Sequence, residues 1–116
     1  MELNVRTERL DDGTSIFTFS GEIDLYTAPK FERHLIGAAN NGAASLIVDL
    51  GECTFIDSTA LGILIEANRH LGGSPRSLVL ISDDRNIRKV FEVTGLDRVF
   101  TICRSRAEAL NDRPGT

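Results

Sequence analysis

The chain has 116 residues, 41% hydrophobic and 26% charged, with thirteen basic and seventeen acidic side chains and a formal net charge of -4. Size scaling gives about 6,200 Å² exposed after folding against about 18,000 Å² for the open chain, which is one domain with its own core and not two. The negative balance is the wrong sign for a domain that lives on nucleic acid or an anionic membrane. No apolar run approaches the roughly 18 residues of a membrane helix, and the start MELNVRTERL has no apolar signal region. Cys53 and Cys103 lie far apart without a CxxC or a Cys/His cluster, so neither redox nor zinc chemistry is indicated and no metal or cofactor is expected. These features describe a reduced cytoplasmic protein.

Leu3 to Leu10 alternates apolar and polar residues and meets the turn signal Asp11-Asp12-Gly13; Thr14 to Ser20 follows, with Ile16, Phe17 and Phe19. Together they predict an antiparallel hairpin whose second strand ends at Gly21. Glu22-Ile23-Asp24-Leu25-Tyr26 reads as an irregular loop. A helix starts near Thr27, whose hydroxyl can cap it, with Pro29 tolerated in the first turn. Phe31, Leu35, Ile36 and Ala39 form its apolar stripe, and Asn40-Asn41-Gly42 stops it.

Ser45 to Leu50 (SLIVDL) has the near-continuous apolar pattern of a strand buried on both faces, and Gly51 to Ile56 follows as a loop. A second helix runs from Ser58 to Leu71, with Leu61, Leu64, Ile65 and Leu71 apolar and Gly72-Gly73 closing it. Ser77 to Ser82 is another buried strand. Asp84 to Thr94 is a third helix with Ile87, Val90, Phe91 and Thr94 on one face, then come a short strand from Val99 to Ile102 and a terminal helix from Ser105 to Leu110. The domain spans residues 3–110, and 111–116 form a flexible tail.

The order ββαβαβαβα defines an α/β fold, a single domain with a mixed, mostly parallel sheet covered by helices. Ligands and partners of such folds meet the carboxyl ends of the strands. Two segments leave the sheet there: the loop after the second strand and the one after SLIVDL.

The second of these leads into Asp57-Ser58-Thr59-Ala60-Leu61-Gly62. Asp57 can cap the helix by accepting a backbone N–H from Ser58, Thr59 or Ala60. Ser58 and Thr59 then sit in the first turn, where free N–H groups and the helix dipole tolerate a phosphate. Capping alone would also explain a hydroxyl residue at this place. Gly62, a poor helix former, points to close backbone packing against a neighbour or partner.

GEIDLYTAP (Gly21 to Pro29), SLIVDL, and FIDSTALG (Phe55 to Gly62) resemble, in order and spacing, the STAS domain of anti-sigma factor antagonists. The resemblance covers Asn4 to about Leu110. It implies a partner switch: unphosphorylated, such a protein binds an anti-sigma factor that is also a serine kinase and so frees the sigma factor. The kinase phosphorylates the serine after the motif aspartate, here Ser58, with Thr59 the fallback, and a PP2C-type phosphatase reverses it. Ala60 stands where many members have glycine. The resemblance also implies a partner surface of Glu22, Asp24, Thr27, Asp57, Ser58, Thr59, Ala60 and Gly62. STAS domains also serve as scaffold subunits of stress-sensing assemblies or transporter complexes, in which Ser58 would be a cap only. Monomer or dimer stays open.

Other residues have blander readings. Asp24 either contacts the kinase or hydrogen-bonds its own turn. Leu25 and Tyr26 are expected to be buried as lids on the sheet edge, with partner-facing anchors as the alternative. Thr27 is expected to cap its helix. Leu61 and Ile65 are expected in the core, and Asn68 at an interface rim. His34 and His70 read as surface histidines, and Cys53 as a partly exposed thiol without an activating neighbour. A serine hydrolase would need a G-x-S-x-G elbow and a base, and I-D-S-T-A lacks the glycines. A receiver domain phosphorylated on Asp57 would need an acidic Mg²⁺ pocket and a lysine at a strand end, but Lys30 and Lys89 both fall in helices. Neither enzyme nor receiver is indicated.

Overall fold

A strand that is apolar at nearly every position needs cover on both of its faces, and SLIVDL and SLVLIS both make that demand. The structure, a computed structural model describing residues 2–74 and 76–111, meets it with helices on either side of one sheet. The elements are β1 (Leu3–Arg9), β2 (Thr14–Ile23), α1 (Ala28–Asn40), β3 (Ser45–Ile56), α2 (Ser58–His70), β4 (Leu78–Ile81), α3 (Arg85–Thr94), β5 (Thr101–Cys103) and α4 (Arg106–Asn111). The sheet order is β1-β2-β3-β4-β5, with β1 antiparallel to β2 and every other pair parallel. This is the expected mixed, mostly parallel α/β fold, and its total exposed surface of 6243 Å² agrees with size scaling.

Side chains alternate across the pleat and so divide the core in two. Phe17, Phe19, Leu46, Val48, Leu50, Leu78 and Leu80 face Phe31, Leu35, Leu64, Ala67, Ile87 and Phe91 of α1, α2 and α3. Ile16, Ile47, Val79, Ile81 and Cys103 face the other way, towards Ala109 of α4. Glu8 and Arg106, bonded at 2.6 and 2.7 Å, tie α4 to the hairpin.

Two strands run further than the sequence indicates. β2 does not end at Gly21, and Gly51 to Ile56 is not a loop but the second half of β3. The two extensions satisfy each other's backbone groups, pairing Ser20 with Glu52, Gly21 with Cys53, Glu22 with Phe55 and Ile23 with Ile56. Irregularities between Thr18 and Ser20 and between Gly21 and Glu22 break the register on the way. Gly21 has φ +119, and a Cβ there would stand 2.6 Å from the Glu2 carbonyl oxygen, so only glycine fits.

The last strand is displaced as well. Gly95, left-handed at φ 78, ends α3, and a short 3-10 turn over Leu96–Arg98 follows. Val99 and Phe100 therefore precede β5 rather than lying in it. Phe100 instead packs edge-on to Phe91 with ring centroids 6.4 Å apart. Asn111, expected in the tail, closes α4, and residues 112–116 lie outside the described residues.

Candidate functional site

The joint extension of β2 and β3 sets two loops side by side at the carboxyl edge of the sheet. Ile23 pairs with Ile56, and the Asp57 N–H donates to the Ile23 carbonyl at 3.2 Å. The acidic loop after β2 and the start of α2 are thus held together by main-chain bonds. The two motifs are distant in the chain and adjacent in space.

The acidic loop is closed on itself. Asp24 Oδ1 accepts from the backbone N–H groups of Tyr26 at 2.9 Å and Thr27 at 3.0 Å. Thr27 Oγ1 accepts from the Asp24 N–H at 2.9 Å and donates to the Glu22 carbonyl at 2.8 Å. Donation from the Thr27 backbone, joined by that from Tyr26, holds the Asp24 carboxyl below the usual carboxylate range. Thr27 therefore does not cap α1 with its hydroxyl, as its sequence position indicates; the hydroxyl turns back into the loop and is buried.

The start of α2 is open. Asp57 caps it, accepting from Thr59 N at 2.9 Å and Ala60 N at 3.4 Å. Ser58, the first helical residue, is exposed, and among the described residues its hydroxyl makes no hydrogen bond. Thr59 is half-buried. The Ala60 side chain is fully buried, so it offers this edge only a backbone N–H, and Asp57 has taken that. Helical spacing places Ser58, Gly62, Ile65 and Arg69 on one exposed face of α2. Among the described residues a Cβ on Gly62 would meet nothing within 4 Å, so none of them makes the close packing its presence indicates.

Large apolar side chains surround this edge where burial was expected. Leu25 is 68% and Tyr26 87% exposed, since the Asp24 turn holds both backbones on the outside of the loop. Ile65 is 39% exposed, whereas Leu61 is buried as anticipated. Phe55, 47% exposed beside Glu22, escapes sequence reading because GECTFI looks like a loop. The register break is the missing signal: the extension of β3 buries Cys53 and Ile56, a spacing of three, and leaves Phe55 outside.

Other expectations also change. Asn68 is buried, not on a rim, and its Oδ1 has no partner among the described residues. His34 is half-buried, edge-on to Phe17 and Phe19, with Nδ1 2.9 Å from the Lys30 carbonyl oxygen. His70 is exposed and stands 3.3 Å from Glu66. Cys53 is buried, donates to the Phe19 carbonyl at 3.4 Å, and burial pushes its thiol up to about 12, which leaves it unreactive. No described helix is long and apolar enough to cross a membrane.

A five-stranded sheet with an antiparallel first strand, and a capped serine where β3 hands over to α2, define a recognisable class. The STAS domain model matches residues 6–109, and the chain belongs to that family. It is 30% identical over 96 residues to the anti-sigma-B factor antagonists of Staphylococcus epidermidis and Staphylococcus aureus, an alignment spanning 83% of this chain and 88% of each relative. An anti-sigma factor antagonist from Mycobacterium paratuberculosis has a similar structure, with TM-score 0.86 and 28% identity, over 95% of this chain and 92% of that one. The Bacillus cell fate determinant SpoIIAA in its phosphorylated form shares the fold at TM-score 0.71 and 22% identity, over 93% of this chain and 97% of its own.

Proposed function

We propose that the chain is an anti-sigma factor antagonist of the STAS type, a cytoplasmic binding protein rather than an enzyme. Unmodified, it docks an anti-sigma factor serine kinase at the edge formed by Glu22, Asp24, Asp57, Ser58, Thr59 and Gly62. Phosphorylation of Ser58, or failing that Thr59, ejects the partner, and a PP2C-type phosphatase restores the competent form. The observation that carries this reading is the Ser58 hydroxyl: exposed, without a hydrogen bond among the described residues, and at the first position of a helix whose cap is supplied by a different residue. SpoIIAA, which exists in a phosphorylated form, shares the fold.

The chemistry needs no refolding. A phosphoserine adds about -1.5 to -2 charges at neutral pH. Two like unit charges at ~4 Å and an effective dielectric of ~20 repel by about 4 kcal/mol, close to a thousandfold in affinity before salt screening. A partner carboxylate or nucleotide phosphate facing Ser58 would feel that repulsion directly. Leu25, Tyr26, Phe55 and Ile65 supply the apolar area that a charge switch alone lacks, and Tyr26 in particular fits the profile of a binding hot spot.

Calorimetry with candidate anti-sigma kinases tests the reading. Wild type and Ser58→Ala should bind alike, and Ser58→Asp should bind at least tenfold more weakly. Equal affinity of all three forms would make Ser58 an ordinary first-turn residue of a scaffold without a phosphoswitch.

A further inference from the structure

The Ser58 edge uses the carboxyl ends of β2 and β3 only. On the other side of β3, where β4 and β5 end, Asp83, Arg85, Arg88, Glu92 and Arg104 line a cavity of about 380 Å³. A smaller one of about 160 Å³ shares Arg88 and Glu92 with it. Three guanidinium groups converge there in a chain whose net charge is -4.

The five groups are not equally committed. Asp83 Oδ1 accepts from Arg104 Nη1 at 3.1 Å, so this pair is neutral overall and orients Arg104. Arg88 Nη1 donates to the Ser82 carbonyl at 2.9 Å, which pins a half-buried side chain and leaves its other N–H groups available. Among the described residues the side chains of Arg85 and Glu92 make no hydrogen bond or ion pair. Asp84 already caps α3 through the Ile87 N–H at 3.0 Å, so the arginines, and not the bare helix end, are what an anion would meet.

A guanidinium can only donate and an ionised carboxylate can only accept. A ligand that satisfies both must carry acceptor oxygens and an O–H group on the same small body. A singly protonated phosphate group does so, whereas sulfate at neutral pH offers acceptors alone and would leave Glu92 facing negative oxygen. We propose that this cavity binds a protonated phosphate group, its oxygens held by Arg85 and Arg88 and its O–H donated to Glu92. The site lies apart from the Ser58 switch and stands or falls without it.

The test is a titration of the full chain near pH 6, where the singly protonated form of a phosphate monoester is populated. Inorganic phosphate, glycerol 3-phosphate and sulfate are added separately, followed by calorimetry and backbone amide shifts. The expected result is saturable binding with shifts confined to residues 82–92 and 102–105, and phosphate preferred over sulfate by about tenfold. Arg85→Gln, which breaks no side-chain bond among the described residues, should weaken phosphate about tenfold, and Glu92→Gln should erase the preference over sulfate. The tighter of the two phosphate probes tells whether the free ion or an ester is the ligand, and either supports the site. Equal binding of phosphate and sulfate by the wild type, indifference to Arg85→Gln, or no saturation below ~20 mM would overturn it.

Discussion

The starts of α1 and α2 lie side by side at one edge of the sheet, use the same residue types, and are built to opposite ends. At α1, aspartate, threonine and main chain consume one another: Asp24 takes two N–H groups, and Thr27 takes one and returns its proton to Glu22. At α2, Asp57 does the capping alone, and among the described residues Ser58 has nothing to hold. A buried, bonded hydroxyl is a structural part. An exposed, unbonded one beside a cap is available for chemistry, and changing it costs the fold little.

That contrast can be broken or sharpened by substitution. The largest expected effect is on binding: Ser58→Asp should weaken the kinase complex ten- to a hundredfold, less than true phosphorylation because one charge is added and not nearly two. On stability the order reverses. Thr27→Val leaves the Asp24 N–H and the Glu22 carbonyl without their partner and should cost about 1–3 kcal/mol in denaturant unfolding. Ser58→Ala should stay within about 0.5 kcal/mol. Equal losses for the two would erase the distinction between closed and open helix starts.

Gly62→Ala separates fold from function in a different way. The site is exposed and a Cβ meets nothing within 4 Å, so the substitution should stabilise α2 by about 0.5–1 kcal/mol. If a partner main chain lies against this face, kinase affinity should fall while the melting temperature rises. A variant that gains stability and binds as before would remove Gly62 from the interface.

The smallest effect concerns acid. The Asp24 carboxyl is lower in the folded chain than in the unfolded one, so its bonds stabilise the loop above the ordinary carboxylate range. They are lost as pH falls through the folded value. Protection of the Tyr26 and Thr27 amides, taken as the exchange rate relative to the intrinsic rate at each pH, should therefore fall only below about pH 4, and Asp24→Asn should abolish that transition.

Much of this arrangement was legible in the sequence, because apolar periodicity and turn residues mark every strand and helix in order. The cap at Asp57 and the first-turn place of Ser58 were legible too, since an N-cap acts within three residues of itself. What escaped depends on contacts distant in the chain. Gly21 and the polar stretch after Leu50 read as strand ends, yet each segment continues because the other supplies its hydrogen bonds. Phe55, Leu25 and Tyr26 follow from that: a register break and an Asx turn, not hydrophobicity, decide which side they face. Asn68 and His34 are polar residues that packing carried inward against their preference.

Mapping of phosphate by mass spectrometry, after incubation with the cognate anti-sigma kinase and ATP, tests the central claim most directly. The account predicts one phosphate, on Ser58, in a product the kinase no longer retains. A phosphate placed elsewhere than Ser58 or Thr59, or a Ser58-modified chain that stays bound as tightly as before, would contradict it.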